Sequence, residues 1–173
     1  GWSSLWLQVA YPDAFNGVWS HCPDPVDFHD FQQIDLYATD ANMYKDAAGQ
    51  RRPLARNGET VMLWYDDFVR QETVMGAGGQ IHSFEAVFSP RDAKGQPRPL
   101  FDRTTGLVDP ATSKAWEKYD IRLVLERNWP ALAPKLAGKL HIIAGGVDTF
   151  YLEGAVKRLD KTLKQLGSDA EVE

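Results

Sequence analysis

The chain has 173 residues, a formal charge of -5 and a pI near 5.4, so it lacks the basic stripe that a nucleic-acid backbone requires. Hydrophobic residues make up 43% and charged residues 25%, the balance of a globular chain able to bury one full core. No apolar run approaches the roughly 20 residues needed to cross a bilayer, and the single cysteine, Cys22, excludes an internal disulfide.

The opening stretch, GWSSLWLQVAYPD, places Leu5 and Val9, with Trp2 and Trp6, on one helical stripe. Pro12 disfavours helix at Tyr11, so the predicted helix runs over 2–10. A turn at Asn16-Gly17 precedes a short buried strand, Val18 to His21, stopped by Pro23, and a turn of helix follows around Phe28 to Gln32. Residues 33–109 are rich in Gly, Pro, Arg and Asp, with aromatic residues at no steady period and no visible internal repeat. Within them, LWYDDFVRQETVMG carries a helical stripe through Leu63, Phe68 and Val69, extended to Met75, and MGAGGQ reads as a flexible turn. An irregular segment of this length usually carries function or covers something.

Regular patterning returns at DPATSKAWEKYDIRLVLERNW, where Pro110 suits the first turn of a helix and Trp116, Tyr119 and Leu123 form its stripe. Pro130 and Pro134 are expected to break up the following turn, closed by Gly138. KLHIIAGGVD is a strand over Leu140–Ala144, buried on both faces and ending at Gly145-Gly146. A helix over 150–166 follows, with Leu152, Val156, Leu159, Leu163 and Leu166 at helical spacing and Gly167 as its cap. A further strand begins at Ala170–Glu173. Strand, helix, strand with short links is the signature of a parallel α/β sheet, and the predicted fold class is α/β: the back half of a doubly wound sheet with a long insert at 33–109.

GWSSLWLQVAYPDAFNGVWSHCPDPVDF together with KLHIIAGGVDTFYLEGAVKRL resembles esterases of the α/β-hydrolase superfamily, close to the enterochelin-esterase-like group. The likeness extends over nearly all of residues 1–173, including SFEAVFSPRDAKGQPRPLFD in the insert. It implies a partial α/β-hydrolase domain in which Gly1-Trp2 ends a nucleophile elbow of the form G-x-S-x-G-G-W. The nucleophilic Ser would then stand three positions before Gly1, and the catalytic His in a loop after the strand that starts at Glu171. The implied activity is cleavage of a carboxylic ester through a Ser-His-Asp triad, with a small-molecule ester as substrate and no cofactor. The insert is expected to act as a lid over the carboxyl edge of the sheet, with some of Trp64, Tyr65, Phe84 and Phe88 as its apolar wall. A binding or scaffold domain that keeps the fold without chemistry, or an acyltransferase, are the alternatives.

Asp148 follows the strand LHIIAGGV directly and precedes a helix. A triad acid must sit at that carboxyl edge, whereas an ordinary Asp there would cap the helix. The catalytic reading expects the carboxylate to turn toward Gly1 and not to be consumed in capping. Asp24 is the second choice for the acid, because it and Asp27 follow the other strand; both are also compatible with a solvated Pro-Asp-Pro turn. Trp2, His21 and Asp24 are the expected substrate contacts. Ser3, in GWSSL, matches the start of G-x-S-x-G, but Leu5 stands where a Gly is needed and no strand precedes it, so Ser3 reads as a cap or helix-surface residue. His21, His29, His82 and His141 show no metal-ligand spacing, and no metal is expected. His141 reads as a packed core residue, and Glu72 and Glu85 as solvated side chains or substrate contacts.

Overall fold

A computed structural model describes residues 1–173. In chain order the elements are α1 (Trp2–Ala10), β1 (Val18–His21), a 3-10 turn (Phe28–Asp30), β2 (Pro53–Asn57), β3 (Thr60–Trp64), α2 (Tyr65–Met75), α3 (Gln80–Phe88), α4 (Pro110–Trp116), a second 3-10 turn (Glu117–Tyr119), α5 (Ile121–Leu136), β4 (Leu140–Ile143), α6 (Glu153–Gln165) and β5 (Glu171–Val172). The chain divides into two compact units, residues 1–33 with 118–173 and residues 34–117.

The first unit is α/β. Its sheet has the order β1-β4-β5 and all three strands are parallel, as the strand–helix–strand pattern predicts. Helix α1 buries Trp2, Leu5, Gln8 and Val9 and ends at Tyr11, before Pro12. Ser20 Oγ donates to Gly1 O at 2.9 Å, which puts the start of α1 on the sheet face that also carries Val18. That face is dry: Val18, Ser20, Leu140 and Ile142 are all buried.

The opposite face is not, and here the expectation of burial on both faces fails. Trp19 is 63% exposed. It pairs in register with His141, which pairs with Glu171. The indole and imidazole stack at 4.5 Å and His141 Nδ1 lies 2.6 Å from a Glu171 carboxylate oxygen. His141 is therefore the middle of a polar row across three strands, not a core histidine. Alternation along a strand sends successive side chains to opposite faces, so the apolar run Leu-His-Ile-Ile is half core and half surface.

The predicted helix from Pro110 through Leu123 is two helices. Asp109 caps α4, accepting from the Ala111 and Thr112 amides. A second N-cap, the fully buried Asp120, starts α5 by accepting from Leu123 N at 3.1 Å, and its other oxygen takes Phe28 N at 2.8 Å. Helix α5 then runs through Pro130 and Pro134 to Leu136 instead of breaking. The carbonyls that lose their partners to these prolines are those of Glu126 and Pro130, both exposed residues at which water can take the place of the missing amide.

Residues 34–117 are more regular than their composition predicts. An antiparallel hairpin, β2 with β3, turns at Gly58-Glu59, with Asn57 paired to Thr60 and Gly58 at a φ of 58°; glycine at the first of two turn residues favours such a hairpin. Helices α2 and α3 are joined through residues 76–79. Helix α2 buries Tyr65, Val69 and Glu72, while Met75 is 69% exposed, so the expected stripe is displaced. Trp116 is fully buried, edge-on to Phe88, with Nε1 donating to Ser89 Oγ at 2.9 Å. This anchors α4 to the second unit, which thus extends past the expected boundary at 109.

A local repeat also emerges. Asp46 Oδ1 accepts from the Ala48 and Gln50 amides and Gly49 donates to Asp46 O. Asp92 Oδ1 accepts from the Lys94 and Gln96 amides and Gly95 donates to Asp92 O. Asp102 Oδ1 accepts from the Thr104 and Thr105 amides and Gly106 donates to Asp102 O, one residue later. Gly49, Gly95 and Gly106 all have φ of 77°, a conformation that glycine adopts without a steric penalty. DAAGQ and DAKGQ are the same turn built twice, and DRTTG is a copy lengthened by one residue before its glycine.

Gly154 offers a test of packing in the first unit. Alanine inside a helix gains up to ~1 kcal/mol over glycine, but a Cβ here would lie 2.9 Å from Asp30 Cγ and closer still to Oδ2. Asp30 cannot swing away without giving up the bond from Gln33 N to its Oδ1 (2.9 Å). Gly154→Ala is expected to lower stability by about 1 kcal/mol in urea unfolding, because overpacking outweighs the propensity gain. Combined with Asp30→Ala it should cost less than the sum of the two single changes; a Gly154→Ala protein more stable than the parent would contradict this packing.

Candidate functional site

Parallel pairing of β1 with β4 brings their carboxyl ends to one edge, and Cys22 N extends the ladder by donating to Ile143 O at 2.7 Å. Three segments meet there. The first is the start of α1: Gly1 O accepts from Ser4 Oγ, Ser20 Oγ and Leu5 N. A Cβ on Gly1 would stand 2.5 Å from His21 O and 2.6 Å from Pro23 N, so no side chain fits at this position. The second is Cys22–Asp24 and the third is Gly145–Leu152. Each of these two loops carries one non-glycine residue at positive φ, Cys22 at 40° and Tyr151 at 59°, and backbone strain of this kind persists only where the surroundings hold it in place.

Two carboxylates occupy the edge. Asp24 is half-buried, and burial raises its pKa above the ordinary Asp value; the Asp148 charge pushes the same way, while the Gly1 amino group and a backbone hydrogen bond pull against it. Asp24 therefore lies within electrostatic reach of both Asp148 and the amino end of Gly1. Asp148 does not meet the expectation that its carboxylate escapes capping. Its Oδ1 accepts from Phe150 N at 2.7 Å and Leu152 N at 3.3 Å, closing the turn that leads into α6, which starts at Glu153 and not at 150. The side chain is consequently rigid.

The other expected site residues fare differently. His21 stays at this edge, exposed at the end of β1 with its carbonyl oxygen beside Gly1. Trp2 lies in the core, 7% exposed and stacked on Trp6 at 5.4 Å; the helical stripe that buries Leu5 turns it inward. Ser3 is exposed within the first turn of α1, so it is a helix-surface serine. Tyr65, Phe84 and Phe88 are buried, the last two stacked on each other, and only Trp64 of the expected wall is partly open. Glu72 and Glu85 are buried too, not solvated. Glu72 Oε1 accepts from Ile81 N at 2.9 Å, and Glu85 binds Leu100 N and Arg103 Nη2, each at 2.7 Å. They serve as fasteners within residues 34–117.

Asp27, expected in a solvated turn, has no exposure at all. Its Oδ1 accepts from His29 N at 3.0 Å, and its Oδ2 meets Arg122 Nε at 2.8 Å and Arg158 Nε at 2.5 Å. The signal in the sequence is Arg122 itself, an arginine set between Ile121 and Leu123 on an apolar stripe, where a charge requires a partner.

Comparison with family models, with curated proteins and with solved structures finds no match to this chain. The site is therefore described by its geometry alone. No helix is long and apolar enough to cross a membrane. At the sheet edge, a rigid carboxylate, a second carboxylate with raised pKa, and a backbone position that admits only glycine stand together.

Two outcomes follow. Asp27→Asn leaves two guanidinium groups against a neutral amide and should cost about 3 kcal/mol in denaturant unfolding, the usual penalty for breaking a buried pair. Asp24 titrates higher in the folded chain than in the unfolded one, so its stabilising contribution is full below the unfolded Asp value of about 3.9 and fades as pH rises through the raised folded value. Asp24→Asn should remove that part of the decline, flattening the stability profile above about pH 4; an unchanged profile would count against a perturbed Asp24.

Proposed function

We propose that the chain is the acid-bearing part of a serine esterase of the α/β-hydrolase type, with Asp148 as the acid of a Ser-His-Asp triad. The observation that carries this reading is the seat of Gly1. It opens an apolar helix, packs where no Cβ fits, and lies beside the carboxyl ends of two parallel strands, the place and residue type that a strand-to-helix nucleophile elbow demands. Asp148 leaves the next strand at the same edge. In this reading a Ser upstream of Gly1 attacks the ester carbonyl, a His downstream of β5 takes its proton, and Asp148 holds the imidazole in the tautomer that can do so.

Capping its own turn suits Asp148 to that role. A carboxylate offers about four lone-pair sites, so two amide bonds to Oδ1 fix its orientation while the carboxylate still accepts an imidazole N–H. Asp24, desolvated beside it, shapes the field of the site and contacts substrate.

The test uses the protein that carries both the upstream Ser and the downstream His, with an activated carboxylic ester. Asp148→Asn retains an oxygen for the Phe150 and Leu152 amides, so folding survives, but the amide presents a donor to the histidine; kcat should fall by about 10⁴. Asp24→Asn should change it by less than about tenfold. Equal turnover by the parent and the Asp148 variant removes the assignment. An inert parent supports a scaffold instead, and acyl transfer to an added alcohol in preference to water supports an acyltransferase.

A further inference from the structure

Residues 34–117 hold a cleft of about 580 Å³, remote in sequence from every residue of the proposed triad. Its lining includes Tyr44, Lys45, Arg51, Arg70, Arg103 and Thr104, with Asp66 as the one acid. We propose that this cleft binds a small ligand through an oxyanion group, a carboxylate or a phosphate.

The guanidinium groups are held in place by carboxylates, of which only Asp66 belongs to the lining. Arg51 Nε and Nη2 bind Asp66, and Nη2 also reaches Asp67 Oδ2 at 2.7 Å. Arg51 further lies over the Trp64 ring at 5.0 Å. Arg70 Nη2 pairs with Asp67, and Arg103 Nη2 donates to Glu85 Oε2 at 2.7 Å while its guanidinium covers the Phe101 ring at 4.1 Å. Asp67 and Glu85 are not part of the lining. Their carboxylates thus orient the guanidinium groups without offering acceptors to the cleft. Arg51 Nη1, Arg70 Nη1, Lys45 Nζ and the Thr104 hydroxyl bond to nothing in the chain. Donors outnumber acceptors in the lining, so a matching ligand supplies acceptor oxygens and negative charge.

The frame is also rigid. Lys45 and Arg51 flank the Asp46 turn, and Arg103 and Thr104 belong to the Asp102 turn, two of the three copies of that motif. Tyr44 Oη ties the two by donating to Arg103 O at 2.7 Å, and Asn42 Nδ2 by donating to Thr105 O at 3.0 Å. Guanidinium forks fixed before the ligand arrives lose less freedom on binding.

The experiment is titration of the 173-residue chain with inorganic phosphate, and separately with citrate, at low ionic strength, against sodium chloride of matched ionic strength, followed by calorimetry and by thermal unfolding. Saturable binding of either anion is expected, with stabilisation that chloride does not reproduce. Lys45→Gln and Arg70→Gln should each weaken it about tenfold, the scale of one charge-assisted hydrogen bond. The Arg70 side chain is 68% exposed, and both variants should unfold like the parent in the absence of ligand. Lys164→Gln, on α6, should bind as the parent does. A response that follows ionic strength alone, or one that survives unchanged in both the Lys45 and Arg70 variants, overturns the site. The phosphate and citrate arms separate a phosphorylated ligand from a carboxylic acid. Neither arm depends on esterase chemistry at the sheet edge.

Discussion

The carboxylate of Asp27 is fully buried, and the first unit is arranged around supplying its partners. A buried carboxylate is tolerated only if its lone pairs are filled and its charge is matched. Arg122 comes from α5, Arg158 from α6 and the His29 amide from the turn after β1. One anion therefore joins the loop that leaves β1 to both helices. Asp120 repeats the device nearby, capping α5 with one oxygen and binding Phe28 N with the other. The loop carrying Cys22 to Asp24 leads straight into this pair of fasteners, so the carboxyl edge of the sheet inherits its shape from charges outside the site.

The two units solve the same entropic problem by different means. In residues 1–33 with 118–173, order comes from contacts distant in sequence: a parallel sheet, which cannot close with a short turn, and ion pairs that span most of the chain. In residues 34–117 the recurring device is local. An Asp carboxylate folds back onto amides two to four residues ahead, and a glycine at positive φ completes the turn. Buried Glu72 and Glu85 then fasten these short pieces together. The first arrangement fixes an edge where strands end; the second makes rigid walls from segments that have little regular structure of their own.

At that edge Asp148 caps its own turn, and the proposed reading asks the same carboxylate to hold a histidine as well. The bonds from Phe150 and Leu152 remove rotamer freedom that a catalytic acid would otherwise lose at each turnover. Positive φ at Cys22 and Tyr151 places the stored strain in the two loops that surround it. The open face of the sheet carries a different order, a row in which Trp19 stacks on His141 and His141 meets Glu171. That row satisfies the polar groups of the face without covering its indole.

Much was legible from residue order alone, because the forces involved are local. Pro12 ends α1, Asp109 and Pro110 begin α4, and the apolar stretches around Val18 and Leu140 become neighbouring parallel strands. Gly58 in the hairpin turn and the three Asp–Gly turns were equally local signals, masked by the uneven composition around them. What only the tertiary structure decided concerns burial and partnership. Asp27, just past a Pro-Asp-Pro turn, looks solvated until two arginines from distant helices are seen to enclose it, and Trp2, at the start of an apolar helix, looks available until the core takes it. The sequence determined which groups each element carries and on which strand or helix they ride, since propensity and periodicity act over a few residues. Which of those groups meet water, and which meet one another, depends on desolvation and on pairs formed more than a hundred residues apart, and only the folded chain brings them together.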